Sequence, residues 1–196
     1  MNAQSDTEIR LHGVLYPAFV LLVLFLVIGN VQASTYLLEV HKSANELIVK
    51  NGNDVIKRYR ISSGKGGHGT KTRSGDNKTP VGAYKILEMH DQTRFHFFMH
   101  INYPNFQDAW YGYNNKLING REFKEIVAAN RSDLLPPQDT ALGGSIGLHG
   151  IGEITEEKLS IHDRLDWTEG CIALTNEEIA ELRQYVSIGT TIIIRD

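Results

Sequence analysis

One cysteine stands in the whole chain of 196 residues, Cys171, within Asp166-Trp167-Thr168-Glu169-Gly170-Cys171-Ile172. Some twenty residues upstream lies Ile146-Gly147-Leu148-His149-Gly150, which carries a histidine between an apolar run and a glycine. A thiol attacks a carbonyl as thiolate, so it needs a base or a positive local field. Histidine is the side chain whose ordinary pKa suits that task near neutrality. The Gly170 side chain is absent where a nucleophile meets its substrate, and a tight turn there can aim the Gly170 and Cys171 amides at a developing oxyanion. The chain opens like an exported protein, where cysteines usually pair, and Cys171 has no intramolecular partner. Two readings stay open on residue type and spacing alone: a working thiol with His149 as base, or a buried small hydrophobe beside a core histidine.

The elements around these residues read mostly as strands. From residue 14 to 28 the chain is almost continuously apolar, broken by Tyr16 and Pro17, and Val31-Gln32-Ala33 has the small-residue spacing of a cleavage site. That length is short of the ~20 residues a membrane span needs, so residues 1–33 read as a signal peptide or an N-terminal membrane anchor. Either places the folded domain, residues 36–196, in the periplasm or cell envelope. The formal charge of −3 rests on 20 basic and 23 acidic residues and carries no electrostatic footprint for nucleic acid.

Residues 36–40, 46–50 and 55–61 alternate as short strands, with Asn51-Gly52 as a hairpin turn between the second and third. Residues 62–79 hold five glycines without periodicity and read as a loop. It lacks the Gly-Lys-Ser/Thr ending and following helix of a phosphate cradle. Strands follow at 80–88 and 94–101, the latter with His96, Phe98 and His100 on one face. Residues 102–145 form a long insertion with one helix over 121–130, and a connection of that length reads as a lid. In it Trp110, Tyr111 and Tyr113 read as lid residues packed on the domain, and Tyr84 and Trp167 as core or pocket. A strand over 144–150, a helix capped by Thr175 with Glu178 completing a capping box, and a strand over 190–194 close the domain. The sum is mainly β with two short helices. His96 and His100, with His90 and His162 elsewhere, invite a metal reading, but the His-x-Phe-x-His pattern has no carboxylate beside it in sequence, so no metal and no cofactor are expected.

Three ordered segments then resemble one family. Gly75-Asp76-Asn77-Lys78-Thr79-Pro80-Val81-Gly82-Ala83-Tyr84, Ile146-Gly147-Leu148-His149-Gly150 and Thr168-Glu169-Gly170-Cys171-Ile172 are similar to the motifs of the L,D-transpeptidase catalytic domain of the YkuD type. The resemblance implies a β-sandwich-like core with a lid. It implies Cys171 as nucleophile, His149 as base, the Gly150 carbonyl as the group that orients the imidazole, and the Gly170 and Cys171 amides as oxyanion hole. Thr168, Tyr84 and His100 are expected at the substrate. The implied substrates are peptidoglycan stem peptides, with a wall-linked lipoprotein as a possible further partner. Two positions depart from the pattern: Glu169 replaces a signature histidine, and Ala173 stands where many members carry an arginine that contacts a carboxylate. The departures leave two alternatives beside the transpeptidase, a peptidoglycan peptide hydrolase and a catalytically silent wall-binding module.

Overall fold

The computed structural model describes residues 36–196; the segment expected to be a signal or anchor lies outside them. No helix among the described residues is long and apolar enough to cross a membrane. The strands are β1 (Tyr36–His41), β2 (Glu46–Asn51), β3 (Asp54–Arg60), β4 (Gly82–Thr93), β5 (His96–Ile101), β6 (Gly147–Gly150), β7 (Ile172–Leu174) and β8 (Thr191–Arg195). They form one sheet in the order β3-β2-β1-β8-β4-β5-β6-β7. The long strand β4 pairs with β8 through residues 82–85 and with β5 through 86–93, so it belongs to both halves of the sheet.

The two edges are stitched together beyond β3, where Ser62 and Ala173 exchange backbone hydrogen bonds of 3.0 and 2.8 Å. This closure leaves one apolar interior shared by both halves. Leu38, Val40 and Leu47 from one half and Met99, Leu148 and Ile172 from the other belong to the same buried cluster. The Asn51-Gly52 turn is as expected, with Asn51 opposite Asp54 and Gly52 at φ +59°, a conformation that suits glycine.

The described residues hold four helices where two were expected: α1 (Phe106–Asn114), α2 (Gly120–Arg131), α3 (Glu156–Arg164) and α4 (Asn176–Leu182). The helix expected over 121–130 is α2, and Thr175 caps α4 with the full capping box. The additional pair hides for physical reasons. Gly112 interrupts the α1 pattern, but it is needed there, because a Cβ would sit 2.7 Å from Leu142. Helix α3 buries only His162 and so carries no apolar stripe. The α1–α2 pair closes over a small core of its own, Ala109, Ile118, Ile126 and Leu142. Trp110 and Tyr113 lie outside that core, against Phe123 of α2, and are about half exposed.

Candidate active site

Strands β6 and β7 run parallel with Leu148 opposite Ile172 and His149 opposite Ala173, which brings the His149 and Cys171 segments side by side. Asn176 fastens the exit of β6 to the start of α4, accepting from the Gly152 amide at 3.0 Å and donating to its carbonyl at 2.7 Å. Cys171 and His149 both line a cleft of about 520 Å³. Its other walls come from the glycine-rich loop (Lys71, Gly75), the turn before β5 (Arg94, Phe95) and the last residues of the insertion (Gly144, Ser145). The insertion reaches the cleft through that final stretch; its helices do not line it.

His149 Nδ1 lies 2.7 Å from the Gly150 carbonyl oxygen. A carbonyl only accepts, so Nδ1 carries the proton and Nε2 the lone pair. The ring is held between neighbours: Phe95 at 4.3 Å, Phe98 stacked at 6.1 Å and Trp167 edge-on at 5.9 Å. Burial pushes His149 down to about 4, against the smaller pull of the Gly150 carbonyl, so the imidazole is neutral at neutral pH.

Cys171 is half-buried, and its S–H donates to the Ser145 carbonyl at 3.3 Å. Burial pushes the thiol up to about 11, with the Gly147 amide and the Lys71 ammonium pulling weakly the other way. The resting pair is therefore a thiol and a neutral imidazole, not the thiolate that a strongly positive field would give. Lys71 itself is buried and paired with Asp76 at 2.9 Å. Asp76 also accepts from the Thr72, Arg73 and Lys78 amides, which hold its carboxyl below the usual range although burial pushes it up. The Gly-Asp motif thus shapes the loop that walls the cleft.

Of the residues expected at the substrate, Thr168 lines the cleft, whereas Tyr84 and His100 do not. Thr168 is buried and clamps the turn: its hydroxyl donates to the Cys171 carbonyl at 2.6 Å and accepts from the Gly170 amide at 3.1 Å. In this conformation the Gly170 amide therefore donates inside the turn. Glycine is still required at 170, where φ is +133° and a Cβ would stand 2.8 Å from the Lys78 carbonyl oxygen. Tyr84 is buried away from the cleft, its hydroxyl donating to Asp108 of α1 at 3.0 Å, where it joins the sheet to the insertion. His100 is buried beside Glu88 and does not line the cleft. Ala173 is wholly buried in β7, so an arginine there would have to leave the strand's packing. The positive charge of the cleft comes instead from Lys65 and Arg94, with Glu169 4.0 Å from Lys65 and the buried Lys71 already paired with Asp76. Sequence reasoning passed over Arg94, Phe95 and Ser145, which carry no motif of their own.

A nearly closed eight-stranded sheet that sets an oriented imidazole on one strand and a lone thiol just ahead of the parallel strand beside it is the architecture of the L,D-transpeptidase-like domains. The chain belongs to that family: the YkuD model, the L,D-transpeptidase catalytic domain, matches residues 35–194. Among curated proteins it is 32% identical over 77 residues to "Putative L,D-transpeptidase YafK" of Escherichia coli, covering 37% of this chain and 31% of that protein. Among solved structures it is similar to Bd1075 of Bdellovibrio bacteriovorus (24% identity, TM-score 0.51), covering 83% of this chain and 48% of that one. It is also similar to the helical cell shape determining protein Pgp2 of Campylobacter jejuni (21% identity, TM-score 0.52), covering 82% of this chain and 47% of that one. At these identities the two structures speak for the fold. The chain spans about half their length and under a third of the curated relative.

Proposed function

We propose that this chain is an exported cysteine acyltransferase that acts on peptidoglycan stem peptides through an acyl-enzyme on Cys171. The observation that carries the reading is the 2.7 Å contact from His149 Nδ1 to the Gly150 carbonyl, which presents the other nitrogen as a base in the cleft that holds the lone thiol. As the sulfur attacks the peptide carbonyl, the thiol proton passes to His149 Nε2. The tetrahedral oxyanion collapses, the C–N bond breaks, and the imidazolium returns its proton to the departing amine of the terminal D-residue. The Cys171 amide is the donor the turn offers the oxyanion. An acceptor amine then attacks the thioester, its proton passes through His149, and the thiol is restored. Lys65 and Arg94 suit a substrate that carries carboxylates.

Water in place of the amine makes the same site a peptide hydrolase. Incubation with purified tetrapeptide muropeptides, with and without an acceptor amine, separates the two by product mass. A cross-linked or amine-exchanged product supports the transferase, and a trimmed tripeptide alone supports the hydrolase. One observation favours a third reading, a silent wall-binding module: the thiol sits high, near 11, with its S–H engaged by Ser145. Binding to wall fragments without any product, in either incubation, would establish that reading and sink the proposal.

A further inference from the structure

Outside the cleft, the β4–β5 hairpin brings His100 of β5 beside Glu88 and His90 of β4. Glu88 is the register partner of His100, and His90 is the partner of Phe98. Cross-strand partners project from the same face of a sheet. On that face His90 Nε2 lies 3.0 Å and His100 Nδ1 3.7 Å from the same Glu88 carboxylate oxygen. One ligand atom from each of the three lies within 4.8 Å of the others. Tetrahedral zinc, with bonds of about 2.0–2.1 Å, sets adjacent ligands roughly 3.3 Å apart, and the two separations bracket that value.

A second feature singles the cluster out from an ordinary surface ion pair. His100 is 9% exposed and turns Nδ1 toward the carboxylate, so a buried imidazole faces Glu88 rather than solvent. The ring is fixed edge-on against Phe98 at 5.3 Å, as a ligand with a set orientation would be.

We propose that Glu88, His90 and His100 form a binding site for a divalent ion of the zinc class, held by two imidazoles and one carboxylate with a fourth position open. This donor set suits a borderline ion and is poor for calcium or magnesium, which take oxygen ligands. The site lies one ring from the cleft. Phe98 is 6.5 Å from His90 and stacks on His149 at 6.1 Å, so an ion here braces the hairpin whose rings hold that imidazole. The inference does not depend on the acyl-transfer reading.

The test uses the full chain without a histidine tag and with Cys171→Ser, which removes the thiol as a competing ligand. Zinc chloride titrated calorimetrically should bind at one ion per chain and raise the melting temperature. Cobalt(II) should give the intense visible bands of a tetrahedral site. His90→Ala and Glu88→Gln change side chains that are 50% and 43% exposed, the second only from carboxylate to amide, so neither opens a cavity. Loss of an outer-shell partner alone costs about 10–100-fold in affinity, so each of these ligand variants should weaken zinc by roughly 100-fold or more. His68→Ala, at an exposed histidine elsewhere, should change nothing. Absence of stoichiometric zinc binding, or binding that survives His90→Ala, would overturn the proposal.

Discussion

Replacing Cys171 with alanine should reduce muropeptide turnover by about 10⁴-fold or more, to the uncatalysed background, while the protein stays folded. The acyl-enzyme route leaves no substitute for the sulfur: the bond to the peptide carbonyl forms there or not at all. The fold has little stake in the same atom. Cys171 is half-buried at the cleft, and the turn that carries it is held by Thr168, whose hydroxyl binds the Cys171 carbonyl and the Gly170 amide rather than the thiol. A thiol kept only for packing would give the reverse pattern, a lower melting temperature with turnover untouched. Activity on tetrapeptide muropeptides and a thermal melt, measured on the same preparation, separate the two.

The second large effect lies in the pH dependence of His149→Gln. With a thiol near 11 and an imidazole near 4, the native pair is uncharged across the neutral range, and proton transfer to His149 accompanies attack. The rate, as kcat/KM, should fall on the acid side as the imidazole protonates near pH 4 and stay nearly flat from about pH 6 to 9. Without the base, the sulfur must ionise by itself. At pH 7, four units below the thiol pKa, about one molecule in 10⁴ is thiolate, so the variant should lose roughly 10³–10⁴-fold. Its rate should then climb about tenfold per pH unit toward alkaline solution. A variant whose profile stays parallel to that of the native chain would mean that His149 does not take the proton. A native profile rising with an inflection near neutrality would mean that the thiol is already activated at rest.

The parts of this site that could be read from sequence are those whose signals are local. Asn51-Gly52 specifies its hairpin, and Thr175 with Glu178 specifies the start of α4, because each acts within four residues. Alternation in β5 places Met99 in the core and Phe98 on the opposite face, as its side chains show. The pairing of Cys171 with His149 was accessible only through their motifs, since three-residue β7 leaves too short a pattern to register as a strand.

What escaped depends on partners distant in the chain. Tyr84 stands at the end of a motif, yet what decides its role is Asp108, a half-buried carboxyl that desolvation pushes up to about 6 and that accepts from the tyrosine hydroxyl. The Gly170 amide looked free until the turn folded it onto Thr168. Glu88 is the carboxylate that the histidine pattern of β5 lacks in sequence, and only the antiparallel register supplies it. The thiol pKa likewise has no local signal: the enclosing protein raises it and leaves activation to the base.

The account rests on a covalent bond at one sulfur, and intact-protein mass spectrometry with a carbapenem as acyl donor tests that most directly. The full chain should gain the mass of one acyl group, fragmentation should place it on the peptide containing Cys171, and Cys171→Ala should gain nothing. A chain that remains at its native mass, or an adduct that persists in Cys171→Ala, would contradict the account.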